Sequence, residues 1–382
     1  MKIRLFVCSA IVLGLMAGPL AAQQGRPGRP SPSATQIQAR APVMSVPLTT
    51  RPALATGSLN LQDWNQTGWL AVTQGQALGA PSVLRLGNGQ AWLIVRAEDS
   101  QLYGAPINSG QPGLIASGAW RAFGMVAQSE PDCQPVAPSA AGNGFNWGER
   151  MVCAYLVSGG AAEVSLLTTG SGAIVTFPLG GRNAGARPTL LPRALGSSVA
   201  TPGGSYASST VAATAVVWDG ASSVYRGAFT VGMSTGASVN QAPTWEQVTT
   251  VGGPVGCAYR DNVQPCAWTA ASQIVVRDNP AFTGAGLVTS AVPGGTDRRS
   301  APAVVVTASG RVVIAVRNAM GRIYWTTRPG GSSAFSAWQD AGGVARNGTG
   351  LSCISEGESV SCFIQGWDGR IFGRVIGNTA NL

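Results

Sequence analysis

The chain has 382 residues, 45% of them hydrophobic and only 11% charged, with a formal charge of +9 and no histidine. The missing histidine excludes Ser-His-Asp and Cys-His catalysis, histidine general bases and the usual zinc sites together. With 52 glycines, many Val, Thr and Ser residues and no sustained helical periodicity, the expectation is an all-β fold.

Lys2 and Arg4, an apolar run from Leu5 to Met16, and small residues up to Ala22 read as an export signal over residues 1–22. The run is too short for a membrane span, and no later segment is expected to cross a bilayer. Cleavage after Ala22 removes two cations, so the charge falls from +9 to +7 and every remaining cation is an arginine. These arginines are scattered rather than clustered. That pattern argues against a nucleic-acid partner and leaves an acidic surface or polysaccharide as the natural one. Residues 23–56, rich in Pro, Gln, Ser and Arg, cannot bury enough apolar surface to offset their ordering entropy and are expected to be a flexible linker. The folded part is expected over 57–382, in a secreted or periplasmic protein.

From Gly57 onward the sequence repeats. One element is a large apolar residue followed by a glycine pair or its remnant, anchored at Trp69, Trp120, Phe177, Trp245, Val288 and Trp338. Successive anchors are 51, 57, 68, 43 and 50 residues apart, the length of one four-stranded blade. A second element is a short apolar strand: PSVLRL, CQPVAP, RPTLLP, GCAY, APAVVV and LSCI. The third is an apolar strand, a polar turn and an aromatic-ended strand: AWLIVRAEDSQLY, VCAYLVSGGAAEVSL, TAVVWDGASSVY, QIVVRDNPAF, VVIAVRNAMGRIYW and CFIQGWDGRIF. Asp-Gly in two of these turns fits a hairpin.

The six cysteines left after cleavage fall as local pairs, Cys133 with Cys153, Cys257 with Cys266, and Cys353 with Cys362, in the second, fourth and sixth copies. In an exported chain these are expected to be three disulfides, the latter two each joining facing strands of one hairpin. No metal site and no cofactor is expected.

Units this short cannot bury their own apolar faces and must pack side by side; closing them into a ring removes exposed edges. The expectation is a β-propeller of six four-stranded blades, with seven as the alternative if the long third copy, residues 180–240, hides a degenerate unit. Residues 59–64, LNLQDW, are expected to supply the outermost strand of the last blade and so close the ring.

The pattern of Trp, Gly-Gly, an apolar strand and then apolar-Arg-x-x-(Asp/Gly)-x-apolar-aromatic resembles the propeller lectins of the fucose-lectin superfamily, including the bacterial insecticidal-lectin-like group. The copies that carry it are RSAPAVVVTASGRVVIAVRNAMGRIYW, followed by FSAWQDAGG, and FIQGWDGRIF. The resemblance implies sugar binding in clefts between blades through Trp, Arg and a carboxylate or amide. It places Arg96, Arg277 and Arg317 at matching strand ends, and Trp120, Trp245 and Trp338 at blade junctions. At the position after the aromatic, where the family often has histidine or glutamate, this chain has Gly104, Trp325 and Gly373.

Each of these residues also has a structural reading. Trp69, Trp120, Trp245 and Trp338 recur at one repeat position, as blade-core residues do; the arginines could bond carbonyls between blades. Trp64, Trp147, Trp325 and Trp367 fall outside that register and are expected to be exposed contacts, Trp147 especially, because it lies on an inserted hairpin tip. A glycosidase needs only two carboxylates, but Asp99, Asp219, Asp278, Asp368, Glu356 and Glu358 sit where turn chemistry explains them. The sequence therefore predicts a carbohydrate-binding protein without catalytic residues, partnered by a glycan or envelope polysaccharide. The alternative is a structural or protein-interaction scaffold of the envelope, and a carboxylate-only enzyme stays open.

Overall fold

A computed structural model describes residues 68–377, apart from 139–146, 192–193, 201–205, 235–236, 239, 251–252, 261–262, 279–285 and 347. The expected export signal, the linker, Trp64 and the segment 59–64 lie outside the described residues.

The described residues form six blades of antiparallel strands. From inner to outer, blade 1 is Ser82–Arg85, Ala91–Arg96, Gln101–Ile107 and Arg121–Val126. Blade 2 is Asp132–Pro138, Arg150–Leu156, Ala161–Thr168 and Gly172–Asn183. Blade 3 has an interrupted inner strand, Thr189–Leu190 and Ala194–Ala200, then Tyr206–Trp218, Ser223–Ser234 and Glu246–Thr250. Blade 4 is Val255–Cys257, Cys266–Ala270, Gln273–Arg277 and Leu287–Val288. Blade 5 is Ala303–Val306, Val312–Arg317, Arg322–Arg328 and Gln339–Val344. Blade 6 is Leu351–Glu356, Ser359–Gln365, Ile371–Ile376 and, from the start of the fold, Leu70–Ala71.

The strand period of two explains why near-continuous apolar runs form these blades. In the inner strand of blade 5, Ala303 and Val305 pack with blade 6 residues Ile364 and Phe372, whereas Val304 and Val306 pack with blade 4 residues Ile274 and Val276. Blade 1 divides in the same way: Val83, Leu93 and Val95 meet Phe363 and Ile371 of blade 6, and Leu84, Trp92 and Ile94 meet Met151 and Tyr155 of blade 2. Both faces of each sheet are thus buried by neighbours, as a blade too thin to hold its own core requires.

The ring closes where the two ends of the fold meet, but with a different segment from the one expected. Leu70 pairs with Gly373 and Ala71 with Phe372, so the closing strand lies downstream of LNLQDW. Trp69, fully buried beside it, donates its indole N–H towards the carbonyls of Ala341 and Gly342 in blade 5.

The long third copy builds no seventh blade. Its extra residues lengthen one hairpin, Tyr206–Trp218 with Ser223–Ser234. They also carry the inner strand across to blade 2, where Ala194–Gly196 pairs in parallel with Val136–Pro138, so that blades 2 and 3 share one sheet.

Three disulfides form between inner and second strands, Cys133–Cys153, Cys257–Cys266 and Cys353–Cys362, each pair directly opposite in register. Such cross-links fit an oxidising compartment. Replacing Cys353 and Cys362 by serine should lower stability by about 2–3 kcal/mol through the freed loop entropy, read as a shift of the urea midpoint. Among the described residues no helix is long and apolar enough to cross a membrane.

Candidate functional site

The inner strands of all six blades line a central passage of about 320 Å³, with Val83, Gln134, Thr189, Gly256, Val304 and Ser352 each contributed by a different blade. At one end it meets a wider cavity of about 550 Å³, walled by the segments that link each outer strand to the next inner strand. These linkers are fastened to the ends of second strands by backbone hydrogen bonds: Leu78 to Arg96, Gly185 to Trp218 and Arg346 to Gln365. Linkers and second-to-third-strand turns therefore share one face of the propeller.

The turns on that face owe their shape to local chemistry. The last strand residues pair as Arg96↔Leu102, Leu156↔Ala162, Trp218↔Val224, Arg317↔Ile323 and Gln365↔Ile371, each closing a five-residue turn. Carboxylates and amides within the turns accept backbone N–H groups, as turn-forming side chains do. Asp99 accepts from Gln101, Asp219 from Ala221, Ser222 and Ser223, Asn318 from Met320 and Arg322, and Asp368 from Arg370. Asp278 pairs instead with Arg328, and Glu358 with Arg311.

Arg96 and Arg317 occupy equivalent positions, as the repeat implies. Arg96 donates Nε to Leu78 O at 3.1 Å and Nη1 to Ala127 O at 3.4 Å, tying two linkers together. Burial lowers its pKa below the usual guanidinium value, and the charge of Glu130 works the other way. Arg317 is buried and donates to Asp297 Oδ2. Gln365 takes the same place in blade 6, giving Nε2 to Ala77 O and accepting Gly79 N–H at 3.1 Å.

Arg277 breaks the expected equivalence. The second strand of blade 4 is Cys266–Ala270, which turns after two residues to pair Ala270 with Gln273, so QIVVR is a third strand and Arg277 ends it on the opposite face. There its guanidinium lies 5.4 Å from the Trp268 ring centroid. The counterpart of Arg96 in blade 4 is Ala270.

The tryptophans divide by register. Trp245 donates its indole N–H to Gly180 O of blade 2 at 2.8 Å, and Trp338 to Ser290 O beyond blade 4 at 2.9 Å, so both rivet a blade to its predecessor, as Trp69 does. Trp120 is half-buried against the core shared by blades 1 and 6.

Two expectations of exposure are corrected. Trp147 is 2% exposed: it stands in a short turn, Trp147–Glu149, beneath the strand extension of blade 3, with Arg150 over its ring. A Cβ on Gly196 would come within 2.5 Å of that ring, so only glycine lets the extension cross. Trp325 is 6% exposed, packed between blades 5 and 6 with Ile364 and Phe372. Trp367, at 36%, is exposed in the blade 6 turn on the linker face, two residues past Gln365 of the cavity wall. Met320 is exposed in the corresponding turn of blade 5.

Beside Arg96, the cavity gathers residues that the sequence did not single out. Arg96, Arg187, Arg299 and Arg346 line it, with Glu130 as the one carboxylate among its described lining residues. Glu130 Oε1 accepts Ala80 N–H at 2.6 Å and Gly350 N–H at 3.2 Å, joining three linkers around the axis. Arg187 faces Asp132, a half-buried carboxyl whose pKa is raised by burial and held back by that arginine and by a 2.6 Å hydrogen bond from Leu190 N–H. The available signal was positional: Arg187, Arg299 and Arg346 each lie within a few residues before an inner strand. Scattered in sequence, they meet only because every linker runs to the axis. Among the described residues no group of three His, Cys, Asp or Glu side chains is placed to hold a metal ion.

No family model matches the sequence, and no curated protein matches it. Among solved structures the chain is similar to the alpha-L-arabinanase of Penicillium chrysogenum, at 11% identity and a TM-score of 0.50 over 82% of this chain and 99% of that one. The fucose-specific lectin of Aleuria aurantia is matched at 11% identity and a TM-score of 0.44, over 80% of this chain and 99% of that one. AofleA of Arthrobotrys oligospora gives 11% and 0.44, over 79% and 84%. At this identity the likeness is one of fold.

Proposed function

We propose that this chain is an exported carbohydrate-binding propeller that takes its ligand on the linker face, with residues 1–22 as export signal and 23–56 as a flexible tether. The observation that carries the reading is the cavity itself, about 550 Å³ and rich in guanidinium donors, with Trp367 exposed in an adjoining turn. Its size falls in the usual range for small-ligand sites. Hydroxyl-bearing rings suit such a place, because donors fix orientation while an aromatic face covers the apolar side of the ring.

On this reading Arg96 and Arg317 position the linkers, and Trp120, Trp245 and Trp338 hold the blades in place. A glycan array on the exported protein should show bound saccharides, and Trp367→Ala should weaken the best of them about tenfold or more, as loss of an aromatic anchor does. Silence across the array would favour a protein-interaction scaffold instead.

A further inference from the structure

Resting on the reading that the linker-face cavity takes a saccharide, we infer that the saccharide is acidic: a sugar bearing a carboxylate, recognised by Arg187, Arg299 and Arg346. Four guanidiniums line the cavity against one carboxylate. That carboxylate, Glu130, already serves two backbone amides. The nearby acids are engaged as well: Asp297 with Arg317, and Asp132 with Leu190 N–H and the charge of Arg187. An arginine does not shed its proton to escape the imbalance.

The side chains of Arg299, which is exposed, and of half-buried Arg346 make no hydrogen bond or ion pair with any described residue, so their charges face the cavity and solvent. Arg187 keeps Nε and Nη1 enclosed without a hydrogen bond, and so does the indole N–H of Trp218 in the same wall. Donors left without acceptors are costly when they are withdrawn from water, most of all charged ones. A neutral sugar would supply hydroxyl acceptors and leave the charge unmet. A carboxylate supplies both the acceptors and the charge, in a planar shape that matches the guanidinium fork.

The wall geometry admits such a guest. Among its short residues, Gly185 and Gly220 pack backbone against backbone and Gly79 lies against the Glu130 side chain, while Gly348 leaves its backbone open to a ligand. At Gly348 nothing stands within 4 Å of where a Cβ would project. Arg346 follows Ala345, which is bridged to Gly366, so its backbone runs beside the turn that presents Trp367. A ring covered by that indole would have its acidic substituent within the reach of arginines from separate linkers.

The test is calorimetric titration of the full exported chain with a panel of uronate- and sialate-containing oligosaccharides and the same compounds with their carboxyls reduced to alcohols. At least one acid should bind about tenfold or more tightly than its reduced partner, and the preference should shrink as salt rises from about 0.05 to about 0.5 M. Arg346→Ala and Arg299→Ala should each remove most of that preference without changing the melting temperature, because neither side chain holds the fold, and Arg346→Lys should keep part of it. Equal affinity for acids and reduced partners would overturn the inference, as would an acid preference unchanged in both alanine variants. Displacement of the acids by inorganic sulfate at matching affinity would show a simple anion site and overturn it too. Neutral sugars bound in a Trp367-dependent way, with no acid preferred, would leave the carbohydrate reading standing and this inference refuted; a silent array would remove both.

Discussion

Trp69→Ala is expected to cost about 3–5 kcal/mol, the range for deleting a buried tryptophan, and to do so by opening the ring. Trp69 is fully buried in the core between blades 5 and 6, and its indole N–H reaches the carbonyls of Ala341 and Gly342. The next two residues form, among the described residues, the one strand that pairs with Ile371–Ile376 on its outer side. Losing the indole therefore leaves a cavity, leaves the Ala341 carbonyl to Arg374 alone and loosens the covalently open joint of the circle, where no chain connection helps. Urea unfolding should show the lower midpoint, and hydrogen exchange should place the loss of protection in blade 6 first. Trp69→Phe keeps most of the apolar area and should cost less, on the order of 1–2 kcal/mol. Equal stability of the alanine variant and the parent would mean that the circle does not depend on this joint.

Asp297→Ala is expected to cost about 3 kcal/mol or more, because it removes a carboxylate from a guanidinium that the fold has buried. Arg317 is 4% exposed and gives Nη1 to Asp297 Oδ2. Burial already lowers the arginine's pKa, with Glu130 acting against that shift, so the variant must keep a desolvated charge on weaker support. Removing both charges together with Arg317→Met should recover a good part of the loss, as replacing a buried pair by an apolar residue often does. The double-mutant cycle from thermal melts checks this, and additive losses would show that the two side chains act separately.

Arg317 and Arg96 also show what a repeat pattern conveys and what it hides. Their shared place at the end of a second strand was legible, because five of the six blades use the same turn length. Blade 4 was misread by one strand, since its tight turn at Ala271 and Ser272 moved QIVVR from the second strand to the third and carried Arg277 to the other face. The tryptophans teach a similar lesson. Trp147 and Trp325 look exposed when judged by repeat position, yet each is covered by a neighbour: the extension of blade 3 in one case, and blade 6 in the other.

The sequence by itself determined the all-β class, a ring of about six repeated units, the succession of outer, inner and middle strands in five of them, and the pairing of cysteines. These rest on interactions within one hairpin or on alternation along one strand, whose causes lie a few residues apart. Only the tertiary structure decided which segment closes the ring, which tryptophans face water and which arginines meet. Closure brings Leu70 to Gly373 and Ala71 to Phe372, and the six linkers to one axis, by packing between blades far apart in the chain. Arg187, Arg299 and Arg346 become neighbours there through geometry that no local pattern records.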